Sequence, residues 1–195
     1  MKAQNPKKIK IKKPLAYHVG NSLMIIATIL LFYTYEPLVR VYFFPQHLAN
    51  LSHAKGTFIQ IPKISAQAPL ISNVDPWNEN EYLQKLHEGV ALAKGFALPG
   101  TGGVLYIFAH SSDLPWNITR YNTAFFRLNE LKKNDTVNIF MNGVKYQYKI
   151  YDEKIVWPNN IDAIKIRGKN LLILQTCTPV GTDWQRLLLY AKLAQ

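Results

Sequence analysis

From Leu15 to Tyr35 the chain reads LAYHVGNSLMIIATILLFYTY, without a charge between Pro14 and Glu36. About twenty such residues cross the ~30 Å hydrocarbon core of a bilayer as a helix, so the pattern predicts one transmembrane segment. His18, Gly20, Asn21 and Ser22 make its first third polar, which leaves a cleaved signal peptide as the rival reading. No small-x-small site follows the apolar run, because residues 33–37 are Tyr-Thr-Tyr-Glu-Pro, so an uncleaved anchor is expected. Residues 36–56 mix aromatics, Pro and His without a period and read as a connector, partly helical at best.

Beyond residue 57 the periods shorten. FIQIPKI alternates until Pro62 interrupts it, as an edge or kinked strand does. DPWNENEYLQKLHEGVAL offers Asp75 as an N-cap, Pro76 at the first helical position, and Tyr82, Leu83, Leu86 and Val90 at helical spacing, which predicts a short helix. FALPGTGGVLYIFAH places a Gly-rich loop before an apolar strand over residues 104–109. Its glycines do not form a phosphate loop, because no Gly-Lys-Ser/Thr follows and the next element is a strand.

YNTAFFRLNELKK, with Asn122 or Thr123 as cap, predicts another short helix. TVNIFMNGVKYQYKIY is a hairpin signal: Asn142-Gly143 suits a type I′ turn, and Val144, Tyr146, Tyr148 and Ile150 alternate with Lys145, Gln147 and Lys149. LLILQTC and RLLLYAKL add two apolar runs, separated by TPVGTDWQ. Six to eight short strands with little helix predict a mainly β fold, a closed or nearly closed β-barrel with short helices. The expected organisation is a basic tail over residues 1–14, an anchor over 15–35, a connector over 36–56 and the barrel over 57–195.

Charge refines this picture. The chain of 195 residues carries a formal net charge of +11, but six of its 23 basic residues are lysines in the first fourteen positions. The remaining basic and acidic residues are spread without a long basic run, so a nucleic-acid groove has little support. Under the positive-inside rule the lysine tail stays cytoplasmic and the barrel is exported. The apolar fraction of 48% suits a packed domain.

Cys177 is the one cysteine. Unpaired in an exported domain, it is either a small buried hydrophobe or a group with a task. It closes one predicted strand, His110 closes another, and Arg186 opens a third. Strands ending on one barrel rim can bring these three together, and an imidazole and a guanidinium beside a thiol favour the thiolate and can stabilise an oxyanion. Each also has an ordinary structural role open to it: a core histidine, a surface arginine, a buried thiol.

These residues resemble the sortases, membrane-anchored cysteine transpeptidases of bacteria. The resemblance runs from about Phe58 to Leu193: FIQIPKI, the Pro99-Gly100 loop leading to a strand that ends in His110, Leu174-x-Thr176-Cys177, and Arg186 nine residues past the cysteine. Two departures stand out. Ile173 replaces the first Thr of the family's T-L-x-T-C pattern, and Ala109-His110-Ser111-Ser112 replaces its usual Gly-His-Arg.

The resemblance implies that Cys177 attacks a backbone carbonyl inside an LPXTG-like C-terminal sorting signal of an exported protein. His110 serves as general acid and base, and Arg186 stabilises the oxyanion or orients the substrate backbone. Ser111, Thr176 and Thr178 are implied as substrate contacts. An amine from the cell envelope or a pilin resolves the thioester, whereas water gives hydrolysis. No metal or cofactor is required, and Glu79, Glu81 and Glu88 read as the solvated face of a helix rather than a calcium site. The implied location is the bacterial cell membrane, single-pass, with the catalytic domain outside.

Two rivals stay open. One is a membrane-tethered β-barrel that only binds or scaffolds. The other is an L,D-transpeptidase-like enzyme, disfavoured because that family's pattern has Ser-His-Gly before the cysteine and Arg two residues after it.

Overall fold

The computed structural model describes residues 14–43, 56–112, 121 and 124–194. Helix α1 (Leu15–Phe43) contains the apolar segment and runs eight residues past Tyr35, into the stretch expected to connect. Within it, residues Leu15–Glu36 are long and apolar enough to cross a membrane, and they are not buried against the rest of the protein. Thr28 and Thr34 donate their hydroxyls to the carbonyls of Met24 and Leu30, one turn back, so these polar side chains are satisfied inside the helix.

Eight strands close into a barrel: β1 (Phe58–Ile61), β2 (Ala66–Val74), β3 (Val90–Ala93), β4 (Val104–Phe108), β5 (Thr136–Met141), β6 (Val144–Val156), β7 (Leu171–Thr178) and β8 (Gln185–Leu193). Around the barrel the order is β1-β2-β3-β4-β7-β8-β6-β5, and β5 pairs back onto β1. Closure leaves no edge strand with unpaired backbone groups. Most neighbours are antiparallel, but β2 with β3 and β4 with β7 are parallel, each joined by a crossover.

Alternation along the strands sorts interior from exterior. Leu105 and Ile107 of β4, Leu172 and Leu174 of β7, and Leu187, Leu189 and Ala191 of β8 point inward and are buried. Each large side chain removed from water in this way contributes about 1.5–3 kcal/mol. The outward set on the same three strands is Tyr106 and Phe108, Ile173, Gln175 and Cys177, and Arg186, Leu188, Tyr190 and Lys192. Part of that outer face is itself covered, which is why Ile173 and Leu188 are as buried as the interior.

Helix α2 (Glu79–Glu88) forms the β2–β3 crossover and buries Leu86. It starts three residues after the predicted position. Asp75 accepts instead from the Trp77 N–H at 3.0 Å in a turn, and Asn78 caps the helix by accepting from the Glu81 N–H at 3.3 Å. The helix predicted over residues 121–133 is reduced to a 3-10 turn, Leu128–Glu130, after a run of turns. Its two proposed caps, Asn122 and Thr123, lie outside the described residues. Strands β2 and β3 were not expected from the sequence.

The hairpin forms as predicted. Asn142 and Gly143 both take positive φ, 52° and 78°, as a type I′ turn requires.

Candidate active site

The site is assembled by register. Strands β7 and β8 are antiparallel with Cys177 directly opposite Arg186, so both side chains leave the sheet on its outer face. Directly opposed Cα atoms in such a ladder lie about 4.5–5.5 Å apart.

His110 is brought in from the other side. The parallel β4–β7 register ends at Phe108 opposite Gln175, the Ala109 N–H donates to the Gln175 carbonyl at 3.1 Å, and the Thr176 hydroxyl donates to the Ala109 carbonyl at 3.0 Å. His110 follows just beyond this clamp, two residues past the end of β4. Cys177 and Arg186, nine positions apart in sequence, are thus directly opposed, and His110 follows the end of the strand that neighbours β7.

The remaining predicted contacts divide. Thr176 is buried, faces inward, and clamps the end of β4 to β7 through its hydroxyl. Ser111 is also buried. Thr178 is half-buried, ends β7, and precedes a cis Thr178-Pro179 peptide bond.

Arg186 is fixed from behind. Its Nη1 donates to the carbonyls of Asp183 and Gln185, at 2.7 and 3.2 Å, across the turn that joins the two strands. This orients the guanidinium locally, and among the described residues no acceptor engages its Nε or Nη2.

Electrostatics depart from the sequence-based expectation. Burial is the largest influence on Cys177 and pushes its thiol up; Arg186 opposes this, and Asp183 adds to the rise. The net direction is upward, so the neighbouring guanidinium does not by itself produce a thiolate.

Aromatic residues that the sequence reading did not assign to the site surround it. Tyr82 of α2 meets Phe108 edge to face at 5.9 Å, Phe108 lies 5.6 Å from Tyr106, and Phe96 packs 5.0 Å from Tyr106. Burial pushes the Tyr82 and Tyr106 phenols up, and both feel Arg186 and Cys177, which sets them in the same electrostatic neighbourhood. Alternation in VLYIFAH already places Tyr106 and Phe108 on the face of His110. Nothing in the helical pattern of α2 singles out Tyr82.

Comparison with known proteins points to one family. A family model for the sortase domain matches residues 59–194. Sortase D of Bacillus subtilis (strain 168) is 28% identical over 138 residues, covering 69% of this chain and 61% of that protein. The chain therefore spans about three fifths of the length of that curated relative.

Among solved structures, sortase C-1 from Actinomyces oris matches with a TM-score of 0.60 at 27% identity, covering 76% of this chain and 79% of that one. A lid mutant of sortase A from Corynebacterium diphtheriae matches with a TM-score of 0.59 at 26% identity, covering 72% and 70%. An eight-stranded closed barrel, matched over residues 59–194 by one family model, leads to one assignment: the chain belongs to the sortase family.

Proposed function

We propose that this protein is a membrane-anchored cysteine transpeptidase in which Cys177 is the nucleophile, His110 the general acid and base, and Arg186 the oxyanion donor. The observation that carries this reading is the Cys177–Arg186 cross-strand pair with the end of β4 clamped beside it. In the first half-reaction the Cys177 thiol gives its proton to His110, and the thiolate so formed adds to the scissile carbonyl. The carbonyl oxygen gains charge against the Arg186 guanidinium, and the C–N bond breaks as His110 protonates the departing amine. The substrate's N-terminal part is then held as a thioester.

An incoming amine reverses these roles. It attacks the thioester carbonyl, gives its proton to His110, and expels the thiolate. The proposed substrates are exported proteins with an LPXTG-like sorting signal, and the acceptor is an amine of the envelope or a pilin. Ser111 and Thr178 adjoin this machinery, and the position of Thr176 suits a positioning role through β4.

Helix α1 fits a single-pass anchor. In this reading residues 1–14 stay cytoplasmic, residues 15–35 span, residues 36–56 connect, and residues 57–195 form the extracytoplasmic barrel.

The test uses the full chain in detergent, incubated with LPXTG-like peptides, with intact-mass detection and Cys177→Ala beside it. The expected result is an acyl adduct on the wild type alone, released as an aminolysis product when an amine is added. No adduct on a Cys177 that also resists a small alkylating reagent would favour the non-catalytic scaffold, the reading to which the burial of this thiol gives some weight.

A further inference from the structure

Lys149 of β6 stands directly opposite Lys192 of β8, and both are exposed. Like charges in directly opposed positions repel, so such a pair calls for an explanation. Neither lysine has a carboxylate partner among the described residues.

The surroundings extend the pattern. The same outer row continues to Leu171 of β7 and Thr136 of β5, and Lys145 lies exposed four residues before Lys149. Lys169 is exposed immediately before Asn170, whose carbonyl accepts the Leu193 N–H. The nearby acids are otherwise engaged or set apart. Asp135 accepts from Lys63 at 2.7 Å and from the Lys132 N–H, Glu153 lies 3.6 Å from Lys132, and Asp152 sits beyond the β6 irregularity, opposite Tyr190. The result, among the described residues, is a basic surface of four lysines with no acid inside it.

Its place in the barrel gives it meaning. Phe58, where the chain enters β1, pairs with Phe140, and Phe140 pairs with Lys145. The entry of the chain from its anchor and the lysines therefore share one end of the barrel. The Cys177–Arg186 pair belongs to the other end, since Arg186 and Lys192 are separated by roughly 20 Å of strand. Residues 44–55, between the end of α1 and the barrel, reach at most roughly 45 Å when extended.

We propose that Lys145, Lys149, Lys169 and Lys192 form a docking surface for the anionic lipid headgroups of the membrane that holds α1, so that the barrel rests on its entry end with the Cys177 rim directed away from the bilayer. The proposal rests on α1 being a membrane anchor. The attraction of each lysine to an anionic surface is small and decays within a Debye length of about 8–10 Å. The short tether keeps the surface at high effective concentration, so a weak, salt-sensitive contact suffices.

The test is lysine footprinting of the full chain in nanodiscs, with acetylation read by mass spectrometry. In phosphatidylglycerol discs, Lys145, Lys149 and Lys192 are expected to react roughly five- to tenfold more slowly than in phosphatidylcholine discs. Lys85 and Lys165, which pair with Glu88 and Asp162, should react alike in both. High salt, or Lys149→Gln with Lys192→Gln, should restore the reactivity of Lys145 in anionic discs.

Equal reactivity of these lysines in the two lipids, with the chain retained in the discs, overturns the docking surface alone. So does slowing by soluble poly(glycerol phosphate) but not by anionic discs, which would reassign the patch to a free polymer. Loss of the chain from the discs overturns the anchor reading and this proposal together.

Discussion

At Cys177 two influences of opposite sign meet. Burial raises the thiol pKa more than the opposed Arg186 lowers it, and Asp183 contributes a further rise. The neutral thiol is therefore favoured to a higher pH than in an ordinary cysteine, and reactivity grows as pH rises through the shifted value. Iodoacetamide alkylation followed against pH should show its midpoint above that of a free thiol. Arg186→Gln should move the midpoint further up, because the opposing cation is lost, and Asp183→Asn should move it down. A midpoint that ignores both substitutions would separate Cys177 electrostatically from β8.

The proposed site residues Cys177, His110 and Arg186 stood out in the sequence because each ends or begins an apolar run, and strand ends gather at barrel rims. The direction of the thiol's shift was not legible, since desolvation depends on neighbours such as Tyr82 and Tyr106 that only folding brings near.

At the scale of elements, local signals succeeded where the period was long or the turn chemistry strict. The Asn142-Gly143 hairpin is the clear case, because few pairs accept two successive positive φ values. Strand β3, only Val90–Ala93, is too short to display a period and follows α2 so closely that its apolar residues read as one more helical turn. The junction itself depends on Gly89. A Cβ there would lie 2.3 Å from the Pro69 carbonyl oxygen, a backbone atom that cannot rotate away.

Gly89→Ala should consequently push α2 from β2 and cost about 1–3 kcal/mol, as overpacking does. In a thermal melt this corresponds to a fall of roughly 2–12 °C for a domain of this size. An unchanged melting temperature would show that the β2–α2–β3 crossover can relax freely.

For the whole molecule, the proposed anchor and the barrel would act together through concentration. If exported substrates are held in the same membrane, tethering confines enzyme and substrate to one surface and raises their encounter rate without changing the chemistry. Full-length protein in vesicles should then process a membrane-anchored substrate at least tenfold faster than the same protein in dilute detergent at equal bulk concentrations. Soluble peptide should turn over at similar rates in both. Equal rates for the anchored substrate would leave α1 without a kinetic role.

The linear chain by itself determined the apolar span, the β-rich class, the hairpin and the three residue types able to carry thiol chemistry. Each of these is written in local polarity, turn chemistry or side-chain type. Tertiary structure decided what depends on contacts between distant segments: the register that sets Cys177 opposite Arg186, the inward turn of Thr176, the burial that pushes the thiol pKa up, and the opposed lysines at the entry end. Register is the physical reason. A shift of one residue in β7 against β8 would send Cys177 to the barrel interior, and nothing local to LLILQTC records which register the closed barrel selects.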